Sequence, residues 1–179
     1  TISDDDAGPT LSVNDVSVTE ANTTATFTIS MTPASSSTVT VNYATSNVTA
    51  IAGTDYTSAS GSLTFNPGDT SKTVAITIAA DSLDEVNETA IFTLSNAVNA
   101  SISDATGTLT INDDDNQPSL SINDATVSES AGTATLTVIL SAASGKDVSF
   151  SYSTSNGSAT AGSDYTSASG NYTISAGDT

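Results

Sequence analysis

The sequence contains no cysteine, histidine, tryptophan or arginine, and its only basic side chains are Lys72 and Lys146. Without cysteine, neither a disulfide nor a thiolate metal site can form. The joint absence of imidazole and thiol excludes the commonest nucleophile and base chemistry and a zinc centre of the usual nitrogen/sulfur type. Two lysines against twenty acids leave a formal charge of −18. Nucleic acid and anionic membrane are excluded as partners, because both are held by basic surface. No apolar run approaches the roughly 20 residues of a bilayer-spanning helix. A pair of carboxylates could in principle serve a glycosidase, but aromatics are only 5% of the chain and few are available to stack a sugar. The reading is of a protein that is not an enzyme and whose natural counterpart is a cation.

What is present is a repeat. Thr1-Ile-Ser-Asp-Asp-Asp6 returns as Thr110-Ile-Asn-Asp-Asp-Asp115, an offset of 109 residues, and Asp55-Tyr-Thr-Ser-Ala-Ser-Gly61 returns at the same offset as Asp164 to Gly170. Glu20 maps in register to Glu129, and Pro9 to Pro118. A period this long exceeds the roughly 20 to 50 residues of a solenoid unit, so each copy is expected to be a domain. The expected boundaries place residues 1–8 as the tail of a preceding repeat, 9–115 as one complete copy and 116–179 as the start of another. The last copy lacks its final strands, and a truncated sandwich exposes its core and an unpaired edge. The polypeptide is therefore expected to continue in both directions, or another chain to cover the gap.

Apolar residues alternate at period two in Leu11/Val13, Val16/Val18, Ala25/Phe27/Ile29/Met31, Val39/Val41/Tyr43, Leu63/Phe65, Val74/Ile76/Ile78, Ala90/Phe92/Leu94 and Leu109/Ile111. Thr and Ser fill most of the intervening positions, which suits strands with one wet face. Turn signals such as Asn66-Pro-Gly-Asp69 separate the runs. Seven or eight short strands in such a copy predict an all-β chain of tandem antiparallel, immunoglobulin-like β-sandwich domains, the second truncated. Tyr56 and Tyr165 are expected to pack at a sandwich corner with their hydroxyls bonded to backbone.

Most acids of the complete copy fall at strand ends or in loops: Glu20, Asp55, Asp81, Asp84, Glu85, Glu88 and the run Asp113, Asp114 and Asp115. Loops at one end of a sandwich converge, and a hard cation such as Ca²⁺ takes about six to eight oxygen ligands. A lone acid such as Asp69 is better read as a turn residue, whereas three adjacent carboxylates ask for a counterion.

The ordered segments Val-Thr-Glu20, Val41-Asn-Tyr43, Ala52-Gly-Thr-Asp55-Tyr56, Leu63-Thr-Phe65-Asn-Pro-Gly68, Asp81-Ser-Leu-Asp-Glu85-Val-Asn-Glu88-Thr and Leu109-Thr-Ile111-Asn-Asp-Asp-Asp115 resemble the Calx-beta domain family. That family includes the cytosolic Ca²⁺ sensor domains of sodium/calcium exchangers and tandem repeats of large bacterial surface proteins. The resemblance implies a two-sheet sandwich holding Ca²⁺ in loops at one end, with ligands at Glu20, Asp55, Asp81, Glu85, Glu88, Asp113, Asp114 and Asp115. Asp84 is an additional acid beside this set. Glu129 and Asp164 match in the second copy, and Asp4, Asp5 and Asp6 match the triple Asp of the copy before. Asp15 and Asp124 are weaker candidates for a cation at the junction between copies.

The function expected from this is a Ca²⁺-binding structural repeat of a long extracellular or cell-surface protein, an adhesin stalk, fibre or matrix component in which Ca²⁺ stiffens domain ends and junctions. Its partners would be neighbouring repeats, with self-association into fibres through thinly protected edges, and no membrane insertion in this segment. The alternatives are a Ca²⁺-sensing regulatory domain of the exchanger type and a Ca²⁺-dependent glycan or protein recognition module.

Overall fold

The computed structural model describes residues 8–179, which divide into two compact units, one of residues up to 81 with 87–114 and one of residues 82–86 with 115–179. The first unit carries β1 (Thr10–Val13), β2 (Val16–Thr19), β3 (Thr24–Thr32), β4 (Val39–Asn47), β5 (Ser60–Phe65), β6 (Ser71–Thr77), β7 (Glu88–Val98), β8 (Ser101–Asp104) and β9 (Thr106–Asn112). They form two sheets, ordered β6-β3-β1-β8 and β2-β9-β7-β4-β5. Every alternating run of the sequence becomes a strand, and the fold is the all-β sandwich that the alternation predicts. The inward set is fully shielded, as in β3, where Ala25, Phe27, Ile29 and Met31 are buried and the Thr and Ser residues between them mostly exposed. At its centre Phe92 stacks on Phe27 at 4.5 Å and on Tyr43 at 5.4 Å between ring centroids.

The pairing is antiparallel except at two edges. β1 pairs parallel to β8, and β2 pairs parallel to β9. Both exceptions arise because the chain changes sheets between β1 and β2, at Asn14 and Asp15. There two side chains replace ladder acceptors: Asn14 Oδ1 accepts from Thr28 N at 2.6 Å, and Asp15 Oδ1 accepts from Thr108 N at 2.7 Å. Asp15 thus has a structural task at the crossover. Asn123 repeats the Asn14 contact in the second unit, accepting from Thr137 N.

Asp69 is the turn residue that its Pro-Gly-Asp setting predicts. Asn66 N donates to its Oδ2 at 2.9 Å, Lys72 Nζ lies 2.8 Å from the same oxygen, and Gly68 takes the left-handed φ of 89°. The Lys72 ammonium, and after it the Asn66 N–H, hold the Asp69 carboxyl below its ordinary value. The folded state therefore favours the ionised form. This contribution is present above the ordinary carboxylate pKa and is lost as pH falls through the lower folded value. A carboxyl NMR titration is expected to place Asp69 below the usual value of about 3.9, and Lys72→Met to move it back up. An unchanged midpoint in the variant would disprove the assigned cause.

The second unit holds β10 (Leu120–Ile122) paired antiparallel with β11 (Val138–Leu140), and β12 (Val148–Ser153) paired antiparallel with β13 (Ser169–Ile174). It is an incomplete sandwich. Tyr165 Oη lies 2.9 Å from Asn156 Oδ1, as Tyr56 Oη lies 2.7 Å from Asn47 Oδ1 in the first unit. The corner tyrosines are as expected, but their hydroxyls donate to an asparagine side chain rather than to backbone. Phenol donors reach nine residues back, where the same Asn oxygen also accepts from the N–H of Ala52 or Ala161.

Candidate metal centre

The parallel pairing of β2 with β9 creates the site. In a parallel pair both strands end on the same side, and the register sets Thr19 opposite Asn112. The next residues of each strand, Glu20 and Asp113, are thereby brought together, and Glu20 N donates to Asn112 O at 3.0 Å to extend the ladder. Carboxylate oxygens of Glu20, Asp113 and Asp115 all lie within 4.8 Å of one another. Glu20 is 5% exposed, although it is a carboxylate, and its Oε2 is shut off from solvent. The middle acid of the run, Asp114, is exposed, and its Oδ1 accepts from Ala21 N at 3.3 Å. Asp113 and Asp115 share the cluster, whereas Asp114 ties down the turn after β2.

Two asparagines that carry no charge fix this geometry. Asn112 Nδ2 donates to Ser17 Oγ and to Val18 O, both at 2.9 Å, while its Oδ1 accepts from Asn87 Nδ2 at 3.2 Å. Asn87 Oδ1 in turn accepts from Asp113 N at 3.1 Å. The start of β7, the end of β9 and β2 are thus joined just below the acids. Neither residue is charged, so neither has the sequence signature of a cation ligand. The only sequence signal is their position, immediately before Glu88 and before the triple Asp.

The remaining sequence candidates are distributed differently. Asp55 locks its own loop, its Oδ2 accepting from Ile51 N at 2.6 Å, and Asp164 does the same with Thr160 N at 2.7 Å. Glu88 opens β7 opposite Ile111, half-buried and with its Oε2 shielded from solvent. Asp81 is exposed. Glu85 lies against Gly145, where an added Cβ would overlap its carboxylate. Glu129 sits exposed in a 3₁₀ turn, Glu129–Ala131. Asp4, Asp5 and Asp6 lie outside the described residues. Among the described residues, only Glu20, Asp113 and Asp115 meet as a group of three.

Asp84 is 5% exposed and pairs with Lys146, whose Nζ lies 2.6 Å from Oδ1. Lys146 Nζ also donates to Glu85 O, Gly145 N donates to Asp84 O, and buried Ser144 donates from its hydroxyl to Asp84 O. This places Asp84 in an ion pair with Lys146. Lys146→Met would strand a carboxylate that burial has stripped of water. Removing one partner of a fully buried pair costs about 3–5 kcal/mol. The Lys146 side chain is 38% exposed, which reduces the expected loss to about 1–2 kcal/mol. Adding Asp84→Asn to that variant should restore most of it, as read by urea denaturation; a neutral Lys146→Met would show that the pair contributes nothing.

The triad fits a hard cation. Three carboxylates this close repel by on the order of 3–4 kcal/mol per pair at an effective dielectric of about 20, and the chain's two lysines sit at Asp69 and Asp84. Oxygens that each lie about 2.4 Å from one Ca²⁺ ion can be at most about 4.8 Å apart, which is the limit the triad satisfies. The donors are all oxygen, which suits Ca²⁺ and offers nothing to a softer metal.

The sequence profile of the Calx-beta domain matches residues 4–115 and again 112–179. The chain belongs to the Calx-beta domain family. Its fold is similar to the crystal structure of the apo-form Calx CBD1 domain, at 25% identity and a TM-score of 0.59, covering 61% of this chain and 100% of that one. Over 94% of this chain and 71% of theirs it is also similar to CBD12 from CALX1.2, at 23% identity and a TM-score of 0.59, and to the calcium binding domain CBD12 of CALX1.1, at 24% and 0.56. No curated protein sequence matches the chain. In this Calx-beta chain, the acidic cluster of Glu20, Asp113 and Asp115 is consistent with a Ca²⁺-binding site.

Proposed function

We propose that this chain is a non-catalytic, Ca²⁺-responsive tandem module of the regulatory kind, in which binding at the end of the first sandwich controls a larger protein. The observation that carries the proposal is the carboxylate triad of Glu20, Asp113 and Asp115. Glu88 and Asp114 are the nearest candidates in sequence and ladder to complete the six to eight oxygens that Ca²⁺ requires, with backbone carbonyls and water. Asp55, Asp81 and Glu85 belong to the proposed set only if their loops close onto the ion. The regulatory reading draws support from the likeness to the CBD12 structures, one of which is described as a calcium binding domain.

A second reading rests on a different observation. The uniform offset of 109 residues between copies suits a tandem array that makes length, as in an extracellular or cell-surface stalk or fibre of the bacterial type. Affinity separates the two. Sensor sites bind Ca²⁺ with a Kd of about 10⁻⁷ to 10⁻⁵ M, and extracellular modules with about 10⁻⁴ to 10⁻³ M. Calorimetric titration of the chain is expected to give the tighter range. A value in the weaker range would transfer the proposal to the stalk, and the absence of Ca²⁺ binding would end both.

A further inference from the structure

The edges of the two sheets of the first unit differ in how well they are guarded. β6 carries Lys72, and its C-terminal end is covered by the chain before β5, where Tyr56 bridges Ile78 and Thr57 N donates to Thr77 O at 2.9 Å. β8 has only four residues and ends on Asp104. β2 is as short and runs into Glu20 and the acidic cluster. β5 is the exception. All of Ser60–Phe65 pairs with β4 without a register shift, and among the described residues no strand lies on its other side. Residues 56–68 carry no charged side chain, and the strand contains no proline. Charge, proline, a bulge and brevity are the usual means of keeping an edge from pairing with another chain. The free edge has a definite pattern. Thr45 N donates to Ala59 O at 2.9 Å, so by the alternation of an antiparallel ladder the main-chain groups of Gly61, Leu63 and Phe65 also point toward β4. Ser60, Ser62 and Thr64 direct theirs outward, and all three residues are exposed.

We propose that β5 is a self-docking edge, pairing antiparallel with β5 of a second copy of this chain about a two-fold axis at Ser62. The strand itself sets the axis. Centred there, Ser60 meets Thr64 of the second copy and Ser62 meets its own equivalent, so all three outward residues pair within the strands, each pair exchanging two main-chain bonds. An axis at Gly61 would set Thr64 against Ser58, and one at Leu63 would set Ser60 against Asn66, both outside the strand. The opposed side chains are Ser and Thr, which hydrogen-bond across a pair and bring no like charges together. Charge favours the same edge. In the order β2-β9-β7-β4-β5, the cluster of Glu20, Asp113 and Asp115 lies at β2 and β9, across the sheet from β5. At about 4.8 Å per strand that is roughly 14–19 Å, beyond the Debye length of about 8 Å at physiological salt. Two molecules of charge −18 can therefore meet along β5 with that cluster outermost. The edge also recurs: β13 is the equivalent of β5 at the offset of 109, and residues 165–177 again carry no charge. Contacts that are weak singly would then add along tandem copies.

The test is sedimentation velocity of the whole 179-residue chain in Ca²⁺ at about 0.15 M salt, with amide exchange read on the same samples. The expected result is reversible self-association with a Kd of about 100 μM. At about 1 mM chain, exchange at Ser60, Ser62 and Thr64 should be about fivefold slower than in dilute solution, while Gly61, Leu63 and Phe65, already bonded to β4, should hardly change. Ser62→Lys and Ser62→Glu each set like charges face to face across the axis and should weaken association by at least about tenfold. An equimolar mixture of the two should restore it. Ser62 is exposed, so neither variant should move the unfolding midpoint. The proposal is overturned if the chain stays monomeric at about 1 mM, the result expected of an edge that takes a strand from an unlike protein. It is equally overturned if Ser62→Lys associates as well as the parent, if the mixture does no better than either variant alone, or if exchange slows without the alternation.

Discussion

Saturating Ca²⁺ is expected to raise the unfolding temperature of the first unit by roughly 10 °C or more over the chelated protein, and Glu20→Ala to abolish the rise. An ion that binds only the folded state adds about 2.7 kcal/mol at a hundredfold excess over Kd. For a domain of about 100 residues each kcal/mol moves the midpoint by roughly 4–8 °C. The increment should concentrate in the triad, because Glu20, Asp113 and Asp115 lose mutual repulsion and gain a common ligand together. Asp113→Asn provides the sharper signature, since its effect should change sign with the ion. In chelator it removes one of three like charges and should leave stability equal or slightly higher. In Ca²⁺ it removes a ligand and should lose most of the increment. Its amide keeps nearly the same shape, and the Asn87 contact is made to the backbone N–H of residue 113, so the bond network below the site survives. Calorimetric scans with and without chelator read all four states. A midpoint indifferent to Ca²⁺, or an Asp113→Asn variant that keeps the full rise, would remove the triad as the binding site.

The strands were legible because period-two alternation reports burial directly: Ala25, Phe27, Ile29 and Met31 each stand where the pattern puts them. β8 was not, since Ser101–Asp104 offers Ile102 as its single apolar residue and gains its place from pairing with β1. Nor do the two parallel pairs show in the pattern, because alternation tells which face a residue takes and nothing about which strand lies beside it. The site inherits this limit. That the acids gather at strand ends is visible in the sequence; that Glu20 meets Asp113 and Asp115 depends on β2 lying parallel to β9. Asp84 required Lys146, 62 residues away, and no local rule links them. Asn87 and Asn112 carry no such mark, for a chemical reason. Their contribution is to hold backbone, and only charge marks a residue as a ligand in a sequence.

Phe92→Ala should be the most damaging single change in the first unit. Phe92 is 0% exposed, its ring lies 4.5 Å from Phe27 at an interplanar angle of 19° and 5.4 Å from Tyr43 at 8°, and Gly107 stands opposite it across the β7–β9 ladder. That glycine is part of the same packing. A Cβ there would come within 2.9 Å of the Phe27 ring and would overlap Asn14 O, at the crossover between sheets. The gap is therefore already filled, and little remains that could collapse into the space a deleted phenyl ring leaves. Truncation of a buried Phe costs about 3–5 kcal/mol, at the upper end where the site cannot relax, against a total of about 5–15 kcal/mol for a domain. Phe92→Leu, which keeps most of the volume and loses the two stacks, should cost about 1–2 kcal/mol. Because β7 begins at Glu88, directly after the Asn87 that holds Asp113, loosening its middle tests whether core and metal site are one cooperative element. If they are, the Ca²⁺ increment measured on Phe92→Leu will equal that of the parent, since the ion still sees the same folded state, and the two effects will add. An increment that shrinks along with the core would mean instead that β7 frays at its Glu88 end before the unit unfolds, which hydrogen exchange at residues 88–90 would show directly.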